Sequence, residues 1–276
     1  MKLKKTGCLL MALILSSCSA APSTSDVVET VLEKDQNAYL SSVNVDYGYE
    51  LALSMEVIRD NAVLGYRTAG SPAEAETGEM LKKEMENIGL QNVRKDTFTL
   101  DGWTFDHARL SYKDLNDETV TVELGGYQCN LNTDGEKEMI IIDGNDGTYA
   151  DLSSLDVTDK YVLVDINQRE NWWINYPAYE AHLAGAAGII AAQDGGYAEV
   201  SEEALNAQDI CGPADAPALS ISRKDMDAIR EVMEEKGVQQ LTVTLDVEST
   251  VTEDTTSCNI VGTIPGRSDD MVLMSA

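Results

Sequence analysis

Two histidines, His107 and His182, are all the imidazole this chain offers. A two-metal hydrolase needs several convergent imidazoles and carboxylates to fix its ions and polarise water. Neither histidine is followed by an aspartate two positions on, so both are expected as packed or surface side chains and no tight zinc site is expected. Asp143-Gly144-Asn145-Asp146-Gly147, with Asp151, has the oxygen density of a calcium loop. Gly147 stands where that register needs a ligand and no Glu closes the loop, so a solvated turn after a strand is expected. Ser71 lies outside any G-x-S-x-G context and reads as a helix cap rather than a nucleophile. The patch Asn171-Trp172-Trp173-Ile174-Asn175-Tyr176-Pro177 has the make-up of a peptide or sugar contact, and also of a plug in the mouth of a small β-domain, the reading preferred here.

The start of the chain carries a different chemistry. Lys2, Lys4 and Lys5 precede a short apolar run, residues 7–15, too short for a stable membrane span. It ends in Leu15-Ser16-Ser17-Cys18, which resembles a bacterial lipobox, with Cys18 as the thiol that takes a diacylglycerol. Residues 19–25 are small and polar, as a tether should be. The expectation is a lipid anchor in the membrane, facing outside the cytoplasm. Of the other cysteines, Cys8 lies in the signal, and Cys129, Cys211 and Cys258 admit either one disulfide or three free thiols. No C-x-x-C is present, which argues against a cysteine zinc site. The formal charge of −28 repels nucleic acid, which is excluded as a partner, and fits a soluble, secreted surface.

Hydrophobic periodicity places these residues on elements. Leu51, Met55, Ile58 and Ala62 give one face of a helix over 44–61. Ser71, Pro72 and Glu74 are a helix start, Leu81, Met85 and Ile88 its buried stripe, and Gly89 its stop. Strands are expected over 93–100, 107–113, 119–124, 139–143, 161–166, 218–222 and 241–247. A helix is expected over 176–192, where small residues allow close approach to a sheet. Ser222 and Asp225 cap another helix, with Met226, Ile229 and Met233 inward and Gly237 at its end. Residues 250–257 read as a polar connector. Residues 258–264 and 271–275 read as two buried strands.

Two groups of motifs resemble known families. Gly65-Tyr66-Arg67-Thr68-Ala69-Gly70-Ser71-Pro72-Ala73-Glu74, then a helix and Ile88-Gly89-Leu90, resembles the entry segment of zinc-dependent aminopeptidases of the glutamate carboxypeptidase-like group. Tyr161-Val162-Leu163-Val164-Asp165, Ala184-Gly185-Ala186-Ala187-Gly188-Ile189-Ile190 and Pro217-Ala218-Leu219-Ser220-Ile221-Ser222 resemble a protease-associated domain, commonly inserted near the start of such peptidases. Cys258-Asn259-Ile260-Val261-Gly262-Thr263-Ile264-Pro265-Gly266 and Met271-Val272-Leu273-Met274-Ser275 resemble the family's returning strands.

The resemblance implies an α/β fold: a protease-associated domain, a β-sandwich or barrel with flanking helices, set within the truncated start of a zinc-peptidase domain. The implied divisions are a signal peptide over 1–18, a tether over 19–43, peptidase-like sequence over 44–113, the inserted domain over 114–250 and returning strands over 251–276. In the family, the strand resembling 271–276 leads into a His-x-Asp that supplies the first zinc ligands. This chain is therefore expected to hold no zinc, cofactor-binding or catalytic residues, although zinc belongs to the full-length family, and to be inactive alone. The alternative is a non-catalytic binding module tethered to the membrane through Cys18, with a peptide or protein as ligand.

Overall fold

The computed structural model describes residues 34–169, 174–196, 200–205, 216–268 and 270–275. The chain divides into two compact units, Met1–Glu56 and Val57–Ala276. In the first, 34–42 are helical, and helix α1 (Val45–Glu56) starts where Asn44 Oδ1 accepts from the Tyr47 N–H at 3.0 Å. Helix was expected to run to residue 61. It stops five residues earlier because the next segment has its own bonding: Asp60 and Tyr66 exchange backbone hydrogen bonds of 2.8 and 3.0 Å. Asn61 takes a left-handed φ of 61°, which Asn tolerates better than most residues.

The second unit is organised by two long antiparallel strands, β1 (Gln91–Lys113) and β9 (Gln240–Thr263), paired from Gln91↔Thr263 to Ser111↔Thr244. Each was expected as two pieces. Residues 250–257 are not a connector: their Thr and Val residues suit an extended backbone, and all but Glu253 and Asp254, which lie at a register shift, pair with β1. Bulges between Leu100 and Gly102 and between Phe105 and His107 absorb the irregularities in β1.

The sheet continues from β9 through β5 (Lys137–Asp143), β6 (Tyr161–Asn167), β7 (Gly188–Gly195) and β8 (Ala218–Ser220), the last four mutually parallel. Beyond β1 lies β2 (Thr119–Glu123), and β3 (Gly125–Gly126) pairs with β8. Leu124 alone separates β2 from β3, so the sheet curls until its two ends meet. A short strand, β4 (Leu131–Asn132), pairs with β9 beside β5.

Helices α3 (Tyr149–Leu152) and α4 (Asn175–Leu183) cross between the parallel strands and bury Leu152, Ala178 and Ala181 with Val162, Val164 and Ile189. On the other face α5 (Arg223–Glu235) buries Met226, Ile229, Val232 and Met233 with Leu163, Ile190 and Leu245. Strands covered on both faces read as continuous apolar runs, and this explains the error over 176–192. Helix α4 ends at Leu183, Gly185 takes φ +88°, and Ile189-Ile190-Ala191-Ala192 is a fully buried strand.

Helix α2 (Pro72–Asn87) begins as expected: Ser71 accepts from the Glu74 N–H at 3.1 Å and Pro72 is its first residue. Glu74 reaches one residue beyond the cap, to the Gly70 N–H at 2.8 Å, and accepts also from Ser257 Oγ on β9. Of the expected stripe, Leu81 and Met85 are half-buried and Ile88 is exposed. Residues 271–275 do not form the expected strand. Among the described residues nothing pairs with them, and Met271 to Met274 are 83–89% exposed.

One charged cluster fastens α5 to the sheet. Arg230 Nη1 donates to both oxygens of Asp165, at 2.9 and 2.8 Å, and Nη2 to Asp143 at 2.9 Å. Arg223 adds a 2.7 Å bond to Asp165. Burial works against the Arg230 charge, but the two carboxylates outweigh it and its pKa is raised. Removing one member leaves charge without its partner in a poorly hydrated place. Arg230→Ala is expected to cost about 3 kcal/mol, read from the urea midpoint, whereas Arg94→Ala in the exposed Arg94–Asp96 pair should cost under about 1 kcal/mol.

Candidate functional site

The side chains singled out in the sequence do not converge. His107 lies on β1, and His182 is exposed on α4. Ser71 caps α2. The acidic loop spreads its carboxylates among structural tasks. Asp143 holds Arg230, while Asp151 forms a reciprocal cap with Thr148 at the start of α3. Cys129 and Cys258 are free thiols, and burial pushes the Cys129 thiol up, away from the reactive thiolate. Cys18 and Cys211 lie outside the described residues, as do Asn171, Trp172 and Trp173, while Ile174 and Pro177 of the same patch are buried.

What the fold does assemble is a charged group around His107. Along β1, Trp103 and Phe105 are buried, then Ala108, Leu110 and Tyr112. The three-residue step from 105 to 108 is the bulge. Phe105 pairs with Ser249 and His107 with Glu248, leaving Asp106 as the extra residue. Asp106 and His107 therefore both turn to the outer face. Segment 57–71 meets the backbone groups released there: Asn61 Nδ2 donates to Phe105 O and Asp106 O at 2.9 and 3.0 Å, and the Phe105 N–H donates to Tyr66 Oη at 3.1 Å.

The imidazole sits between two carboxylates. His107 Nδ1 is 2.7 Å from Asp106 Oδ2, and Nε2 is 3.1 Å from Asp246 Oδ1, near enough to pair electrostatically though out of line for a hydrogen bond. The bond to Asp106, then the interaction with Asp246, holds the His107 pKa above the usual histidine value. The sequence reading missed this group because Asp246 and His107 are far apart in the chain. A signal was present: the apolar alternation at 103 and 105 resumes out of phase at 108, 110 and 112, which marks a bulge at the Asp-His dipeptide.

No protein-family model matches the sequence, and no curated protein matches it. Solved structures do. A peptidase M28 precursor from Shewanella amazonensis aligns with a TM-score of 0.56 at 19% identity, over 85% of this chain and 53% of its own. A zinc aminopeptidase from Bacillus subtilis aligns with a TM-score of 0.53 at 19% identity, over 80% and 48%. An aminopeptidase from Aneurinibacillus sp. strain AM-1 gives 0.51 at 19% identity, over 82% and 49%. The likeness is one of fold: a mixed α/β architecture shared with M28-type aminopeptidases. The chain spans about half the length of the solved proteins it matches.

Because folding raises its pKa, His107 adds stability that is fully present below the unfolded value of about 6.5 and is lost as pH rises through the folded value. His107→Gln should therefore cost more at pH 5.5 than at pH 9 when urea unfolding is compared at the two pH values. A penalty that is flat with pH would show that folding does not raise the His107 pKa.

Proposed function

We propose that this chain is a membrane-tethered, non-hydrolytic portion of an M28-type aminopeptidase scaffold, anchored through a lipidated Cys18. The supporting observation is the shared fold over most of the chain, combined with two histidines that stand on separate elements. Zinc hydrolysis needs several convergent imidazoles and carboxylates, and the cluster of candidate ligands among the described residues that contains His107 brings in Asp106 and Glu248 but not His182. The curled sheet from β2 to β8, with helices on both faces, supports a protease-associated module as the part that meets a peptide or protein ligand. The −28 charge supports a role outside the cytoplasm with no nucleic-acid partner. No helix among the described residues is long and apolar enough to cross a membrane, so on this reading the attachment is the acyl chain.

Two measurements test this. Purified full chain supplied with zinc is expected to release no N-terminal residue from aminoacyl chromogenic substrates, and zinc-dependent release sensitive to a chelator would overturn the non-hydrolytic assignment. Mass spectrometry of the membrane-fraction protein should find a mature N-terminus at diacylglyceryl-Cys18, and Cys18→Ser should leave the protein unlipidated. An unmodified mature N-terminus elsewhere would refute the anchor.

A further inference from the structure

The bulge in β1 does more than turn His107 outward. It brings three different ligand types of side chain to one spot on the outer face: Asp106, His107 and, directly across the strand pair, Glu248. One ligand atom from each lies within 4.8 Å of the other two. The platform beneath them is hydrogen-bonded on both sides. Glu248 belongs to a strand flanked by β1 on one side and β4 on the other, through His107↔Glu248 and Asn132↔Glu248. Asn61 and Tyr66 fix the backbone of the bulge itself. Asp246, two residues before Glu248 on the same strand, adds a carboxylate 3.1 Å from His107 Nε2. Glu248 is exposed, and its carboxylate has no hydrogen-bond or ion-pair partner among the described residues.

We propose that Asp106, His107 and Glu248 form a surface binding site for a divalent first-row transition ion from the copper–zinc end of the series. An imidazole nitrogen selects such ions over magnesium and calcium, which prefer oxygen alone. The carboxylates supply charge compensation, to which Asp246 adds a further negative charge 3.1 Å from His107 Nε2. With a single nitrogen ligand on an exposed face, the site is an exchangeable one, distinct from a buried hydrolytic centre. It does not depend on the peptidase reading of the fold.

The test is calorimetric titration of the full chain with zinc chloride near neutral pH, repeated on variants. One zinc event is expected. His107→Ala and Glu248→Gln should each weaken it about tenfold or more, while His182→Ala leaves it unchanged. Glu248 is exposed, so that variant keeps the test valid if His107→Ala perturbs folding. Zinc should also shift the His107 ring protons in the NMR spectrum and leave those of His182 in place. Absence of a zinc event, equal affinity in Glu248→Gln, or displacement of zinc by equimolar magnesium or calcium would overturn the proposal.

Discussion

The pairing of β1 with β9 is the constraint on which the rest of this structure depends. One end of the pair carries α2, and the other enters the curled sheet that α3, α4 and α5 cover. The α2 end is closely fitted. A Cβ on Gly262 of β9 would stand 2.8 Å from Leu90 Cδ2 and 3.0 Å from Met85 Cε, and one on Gly70 would strike Thr255 Oγ1. Segment 57–71 is bonded to the same strand pair through Asn61 and Tyr66, and α2 through Glu74. If β1 and β9 separated, the helix cap, the bulge and the opposing carboxylates would lose their common frame.

That frame also explains which parts of the fold were legible in the sequence. Local rules sufficed where an element is decided by its own residues. Ser71-Pro72 opens α2, Ser222 accepts from the Asp225 N–H at 3.0 Å to open α5, and Gly89 and Gly237 close these helices with positive φ. Local rules failed where a distant partner decides. Residues 250–257 are polar and look like a linker, yet β1 recruits them into a strand. Residues 271–275 are mostly apolar and look like a strand, yet among the described residues none lies paired beside them. In 176–192 the composition suits either helix or buried strand, and Gly185 marks the change from one to the other.

The same distinction applies to the site. His107 read alone is an ordinary strand histidine. Its surroundings come from Asp246 and Glu248 on a strand more than a hundred residues later, and from a bulge visible only as a change of phase. The likeness to M28-type aminopeptidases concerns the scaffold. The chemistry of this particular surface rests on side chains that the bulge, and not the fold as a whole, places together.

The separation of β1 from β9 along the chain bears on the order in which the molecule can be built. The units β5–α3–β6 and β6–α4–β7 join neighbours in sequence and close short loops, so they can form early. The contact Gln91↔Thr263 bridges 172 positions, and such pairings carry the loop-closure entropy that slows folding. Until Gln240–Thr263 arrives, β1 and β5 present open strand edges, which template association between copies. Assembly of this protein is thus a race between late strand insertion and intermolecular pairing. Its dense negative charge, by keeping copies apart, favours the first.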